Sequence, residues 1–270
     1  MLQKNFSIVP DVLFKTNVYA EAAPNYLAVW SNNDLGEMEA FEWFQWELNA
    51  DTADACFEEA LQISELLSDP LHFYFNFPHI SIFPSAYWKE SISEHFISLQ
   101  YGAAAGSMKF VHSDCSKNRA IDCRIAEKII DSSSKYFKTL SVNNAWSQII
   151  QHVERHLSVD ETLLTMFFYP GSCTNILHIG GELHFIGHVL YQQPESVLFS
   201  ILNILKQHQL TASDTKIKIA GMLEASSPLF IMLYQYLGKI EIASYDKVAE
   251  TDAFSALDSH ILLPFAGYQS

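Results

Sequence analysis

Residues 163–190, LLTMFFYPGSCTNILHIGGELHFIGHVL, decide the reading of this chain. Leu163 to Tyr169 form a nearly unbroken apolar run of strand length, stopped by Pro170-Gly171-Ser172. Thr174–Ile179 and Glu182–Leu190 then flank Gly180-Gly181, a two-residue connection whose glycines tolerate the positive φ angles of a tight hairpin. The spacing predicts a three-stranded meander. A helix follows from Pro194, because Val197, Leu198, Ile201, Leu202 and Leu205 recur on one face. Lys216–Ala220 reads as a strand. Ser227 is placed to cap a further helix with Pro228 at its first position, and Gly238 ends that helix before a strand over 239–244.

The same order recurs near the N-terminus. Thr16–Glu21 and Tyr26–Ser31 flank Ala23-Pro24-Asn25, and a third strand is expected over Glu37–Trp46. A helix capped by Asp51 or Thr52 follows, stopped by Asp69-Pro70, and then a strand at Leu71–Asn76. Three strands, a helix and a strand at both ends imply an internal duplication. Between the copies, helical patterns at 85–100, 125–136 and 144–157 alternate with short strands near 79–83, 108–112, 120–124 and 139–142. No proline-rich linker or low-complexity tract separates the halves. Two coupled lobes are therefore expected, 1–143 and 144–270.

At 270 residues and 49% hydrophobic, the chain can bury a large core. The first fourteen residues include Lys4, Pro10 and Asp11, which interrupts any apolar leader, and no segment reaches membrane-spanning length. Cys56, Cys115, Cys123 and Cys173 show no CxxC spacing, as expected of free thiols in the cytoplasm. A formal net charge of −15, without a basic cluster to reverse it, argues against nucleic acid and anionic membrane as partners.

Phe167 through the Gly180-Gly181 hairpin, Tyr191-Gln192-Gln193-Pro194-Glu195, Ile219-Ala220-Gly221 and Ser226-Ser227-Pro228-Leu229 resemble the bacterial family of unknown function DUF3822, as do the early meander and Ile82-Phe83-Pro84. The resemblance covers nearly the whole chain, and its motifs are structural. It implies a duplicated, two-lobed actin-like (ribonuclease H-like) α/β fold with mixed sheets and flanking helices, and a bacterial source of the Bacteroidetes type. It carries no established activity.

ATPases of that fold hold phosphates with two glycine-rich hairpins and adenosine with a third glycine turn, because backbone amides approach phosphate closely only where side chains are absent. Here the first hairpin, Glu21-Ala22-Ala23-Pro24-Asn25-Tyr26, has no glycine, and Pro24 removes a donor. The second, Tyr169 to Thr174, keeps one glycine and two hydroxyls but no acid, and the third has Gly221 alone. The expectation is a degenerate site with no cofactor and no catalytic residue. The alternative is a divergent ATP/Mg-binding protein using the interlobe cleft, with Gly171, Ser172 and Thr174 on the phosphate side and Gly221 on the adenosine side.

Two other groupings have chemistry to offer. A plain two-residue hairpin would set Cys173 opposite His188 with His184 nearby, and His152 and His156 lie one helical turn apart. Neither has a recognised ligand spacing, and both are read as structural. Phe41-Glu42-Trp43-Phe44-Gln45-Trp46 carries large rings on both faces of a strand taken to lie at a sheet edge. Trp43 and Trp46 are therefore the candidate residues for binding an unidentified protein partner or a second copy. The resulting expectation is a protein-binding or scaffold role without catalysis.

Overall fold

The computed structural model describes residues 2–10, 17–67, 71–243, 254, 257–265 and 268. Thr16, Asp69-Pro70 and Ser244, named above as element ends, lie outside them. The described residues fall into two compact units. One holds everything through Gln148 together with Phe254, and the other holds the rest from Ile149 onward.

The first unit is built on strands β1 (Gln3–Ile8), β2 (Asn17–Ala22), β3 (Tyr26–Asn32) and β4 (Met38–Gln45), helix α1 (Ala53–Ile63) and strand β5 (Leu71–Phe75). Then come β6 (Ile80–Pro84), α2 (Glu90–Tyr101), β7 (Met108–Cys115), β8 (Arg119–Ala126), α3 (Glu127–Tyr136) and β9 (Thr139–Asn144). Helix α4 (Ala145–Arg155) begins in this unit and ends in the next. The second unit contains β10 (Leu163–Tyr169), β11 (Ser172–Ile179), β12 (Glu182–Leu190), α5 (Pro194–Gln207), β13 (Lys216–Gly221), α6 (Pro228–Leu237) and β14 (Ile240–Ile242).

The duplication is explicit in the sheets. The second unit has strand order β12-β11-β10-β13-β14, and the first has β4-β3-β2-β5-β9 with β1 added outside β4. Both consist of an antiparallel meander whose first strand continues into two parallel strands. The difference lies in the last crossover, which in the second unit is α6 alone. In the first unit it also carries β6, β7 and β8, which form a separate antiparallel sheet ordered β6-β8-β7. The sequence-predicted helix over 85–100 is interrupted: Ser85–Tyr87 make a 3-10 turn and α2 starts only at Glu90.

Apolar runs become strands here because both faces are covered. Every residue of β3 and of β10 is buried. In the second unit Leu164, Met166 and Phe168 pack with Val197, Ile201 and Leu205 of α5 and with Leu229 and Leu233 of α6. The Ser227 cap forms as expected, with its hydroxyl accepting from Phe230 N and Pro228 in the first turn. Thr52 does not cap α1. Its hydroxyl donates to Glu47 O, and Asn49 Oδ1 takes the Asp51 and Thr52 amides instead.

The core of the first unit is aromatic. Trp43 stacks on Tyr26 at 4.3 Å, Trp30 on Tyr19 at 5.5 Å, and Trp46 meets the edge of Phe57. The sequence expectation for the tryptophan strand is therefore corrected. β4 is not an edge, because β1 pairs along it from Gln3↔Gln45 to Ile8↔Phe41. Trp43 and Trp46 are 3% and 2% exposed, so they are core residues and not a partner surface. The acid between the rings is answered internally: Glu42 is buried, with Lys4 Nζ at 2.6 Å and the Ser64 hydroxyl and Leu66 amide donating to it.

Candidate functional site

The two hairpins expected from the sequence resemblance to be the phosphate side are closed by different means. In the first unit, β2 and β3 meet at Ala23-Pro24-Asn25, and all three carbonyls of this turn accept hydrogen bonds from the segment after β4. Trp46 Nε1 donates to Ala23 O at 2.8 Å, Leu48 N to Pro24 O at 2.7 Å and Trp46 N to Asn25 O at 3.3 Å. The Ala23 amide is spent on Tyr26 O, and Pro24 has no donor. An anion needs N–H groups turned toward it, whereas this turn shows carbonyls that its own chain already covers. Glu21, at the end of β2, is fully buried, and its carboxylate accepts from the Tyr26 hydroxyl and from Asn76 Nδ2 at 2.9 Å. It is held inside the unit by these two donors.

In the second unit, Tyr169 pairs with Ser172 around Pro170-Gly171, and Gly171 at φ +70° supplies the left-handed corner of this two-residue turn. Gly171 O accepts from Tyr191 N. Ser172 is buried, and Thr174 is fully buried with its hydroxyl 3.2 Å from His188 Nδ1. Gly221, at φ +92°, has a packing role, since a Cβ there would lie 2.1 Å from Phe168 O, while Met222 N donates to that same oxygen at 2.8 Å. The four residues of the nucleotide alternative thus sit at the ends of β10, β11 and β13, but Thr174 and Gly221 are committed to internal contacts.

The structure rearranges the Cys173, His184 and His188 trio. A register shift between Leu177 and His178 leaves His184 as an extra residue in β12, so Cys173 faces Val189 and His188 faces Thr174. A one-residue slip puts alternate side chains on the other face, which sends Cys173 into the helix-covered core and leaves His188 on the opposite side. Burial pushes the Cys173 thiol well above its ordinary range and the His188 imidazole down to about 4. His152 is likewise held down to about 4 by burial, then by His156 and Arg155. Among the described residues no group of three or more His, Cys, Asp or Glu side chains is arranged to hold a metal.

One constellation escaped the sequence reading. On the β6-β8-β7 sheet, buried Asp122 lies 2.7 Å from His112 Nδ1 and accepts from Trp88 Nε1 at 2.7 Å, with the Trp88 and His112 rings 4.1 Å apart. An acid ordering an imidazole is half of a hydrolytic triad. The far nitrogen, His112 Nε2, lies 3.8 Å from Asp114 Oδ1. The signal was a cross-strand pair, His112↔Asp122, invisible until the register of β7 and β8 is known.

Comparison with known proteins follows this geometry. A crystal structure from Bacteroides thetaiotaomicron VPI-5482, described as a protein with actin-like ATPase fold and unknown function, superposes with TM-score 0.73 at 10% identity, over 94% of this chain and 96% of that one. The PilM-PilN type IV pilus biogenesis complex gives 0.59 at 9% identity, over 94% and 99%. The ethanolamine utilization protein EutJ from Carboxydothermus hydrogenoformans gives 0.52 at 8%, over 96% and 91%. The fold is thus that of the actin-like ATPases. The family described as protein of unknown function, DUF3822, matches residues 31–240, and the chain belongs to it. No curated protein matches this sequence.

Proposed function

We propose that this protein works by binding another protein and does not turn over nucleotide. The observation that carries this reading is the first hairpin, whose carbonyls are covered by Trp46 and Leu48 and whose acid, Glu21, is consumed by Tyr26 and Asn76. Removal of Gly221 and Thr174 from the surface by packing supports it from the second unit. The PilM-PilN complex supplies one instance of this fold described in a protein assembly. The net charge of −15 weighs against nucleic acid and anionic lipid as partners. Among the described residues no helix is long and apolar enough to cross a membrane. The free thiols Cys56, Cys123 and Cys173 support a place of action in the cytoplasm.

Thermal melting with millimolar MgATP tests the reading. A nucleotide present at a hundred times its dissociation constant would stabilise the fold by about 2.7 kcal/mol. The expected result is no shift in midpoint. A rise of several degrees that disappears in Gly171→Asp, a change at an exposed turn, would establish the nucleotide reading instead.

A further inference from the structure

The second unit's sheet is covered on one face by α5 and α6, which lie side by side over Leu164, Met166 and Phe168. Both helices also turn large apolar groups to water: Phe199 is 69% and Leu202 42% exposed on α5, and Ile231 and Tyr234 are exposed on α6. We infer that this face receives a second copy of the chain, with α5 packed antiparallel on its own counterpart across a two-fold axis. The inference is independent of the protein-binding reading above and goes beyond it.

The pattern along α5 chooses the occupant. Glu195, Phe199, Leu202 and Lys206 follow one another at steps of 4, 3 and 4 residues. At 3.6 residues per turn all four fall within about 60° of one another around the axis, away from the side buried by Val197, Ile201, Ile204 and Leu205. Glu195 and Lys206 are the only charged residues of α5, both are exposed, and among the described residues neither forms an ion pair. The spacing reads the same in both directions, while acid and base exchange ends. A two-fold axis midway between Phe199 and Leu202 therefore sets Glu195 opposite Lys206 of the second copy and Phe199 opposite Leu202 of the second copy, each contact made twice. Acid meets base at both ends of a seam about 16 Å long, with the apolar pairs enclosed between them. Parallel packing would instead set Glu195 against Glu195. Each charge also suits the dipole of its own helix, the acid in the first turn and the base in the last. The dipole gives no account of a phenylalanine and a leucine between them on the water side.

Charge disfavours other contacts between copies. At a formal net charge of −15 two chains repel each other, so they meet best where the surface is neutral or self-complementary. α2 also exposes Phe96 and Leu99, but its only charges are Glu90 and Glu94, and packing it on itself would set acid against acid. α6 has no charged residue, so Ile231 and Tyr234 widen the contact beside α5 without adding repulsion. Glu182, at the turn of β12, stands toward the C-terminal end of α5, where His208 meets the His184 and Phe185 rings, and Lys206 is the group that admits a second acid at this end.

Sedimentation of the full chain tests this. Over about a hundredfold range of concentration the wild type should pass from monomer to dimer. Glu195→Lys and Lys206→Glu each place like charges at both ends of the seam, and each alone should weaken the dimer by about tenfold or more. An equimolar mixture of the two should associate as the wild type does, because every lysine then faces a glutamate of the other variant. The double variant Glu195→Lys/Lys206→Glu should do so by itself. Phe199→Ala, which leaves both charges in place, should also weaken the dimer by about tenfold. The wild-type result needs no variant, and association restored on mixing shows that both variants are folded. A wild-type chain that stays monomeric throughout overturns the inference. So does a dimer that the single reversals leave intact, or one that neither the mixture nor the double variant restores. A monomer leaves the protein-binding reading standing, whereas the MgATP melting shift described above would sink that reading and leave the dimer untouched.

Discussion

Apart from the added β1, the sheet of the first unit and the sheet of the second have the same strand order and the same directions, yet they hold their leading hairpins by opposite means. The first hairpin is sealed by side chains and a returning segment: Trp46 on Ala23 O, Glu21 on Tyr26 and Asn76. The second is held by backbone economy, with Gly171 turning the corner and Gly221 allowing β13 to lie against Phe168. One topology is thus stable with either device. The comparison teaches that glycine at such a turn is evidence for a ligand only when nothing in the protein already occupies the space glycine leaves.

Substitutions can break this comparison in order of their expected effect. Trp46→Ala removes a buried ring and the indole donor to Ala23 O, and should cost about 3–5 kcal/mol in denaturant unfolding. A loss under about 1 kcal/mol would mean that the first hairpin is not held by that residue. Gly221→Ala should cost the second unit about 3 kcal/mol, since the new methyl meets backbone that cannot move aside and sits at φ +92°. Equal stability of this variant would remove the packing account of Gly221.

Acid sharpens the contrast further. The folded His188 imidazole is held down to about 4 by burial, below its ordinary value near 6.5. The unfolded chain therefore takes up the proton first, and stability falls as pH drops from about 6.5 to about 4. The contribution is up to about 3 kcal/mol, fully present above the unfolded value. His188→Gln should flatten that part of the stability curve, and an unchanged slope would refute the assignment. The smallest effect is expected at Leu190. Leu190→Lys should change stability by no more than about 0.5 kcal/mol, because the side chain is already in water.

Much of the fold was legible because its signals are local. The Gly180-Gly181 turn, the Ser227-Pro228 helix start and the apolar run of β10 each declare themselves within a few residues, and repeating the pattern at 16–76 exposed the duplication. What the sequence hid were long-range facts. β1 pairs with a strand some forty positions away, so nothing local marks Gln3–Ile8 as the neighbour that removes β4 from the sheet edge. The extra residue at His184 is set by the sheet as a whole, and missing it placed Cys173 opposite His188 instead of Val189. The candidate nucleotide residues lie at or near the ends of β10, β11 and β13, but only the distances to His188 and Phe168 showed what Thr174 and Gly221 do.

The aromatic first unit has an optical consequence. All five tryptophans, Trp30, Trp43, Trp46, Trp88 and Trp146, belong to it, and four of them are almost fully buried. Intrinsic tryptophan emission is therefore a private signal of one half of the molecule, while the backbone ellipticity of both halves is shared. Two probes recorded on one unfolding sample would report whether the duplicated halves come apart together or one after the other, because a cooperative transition must trace the same curve in each.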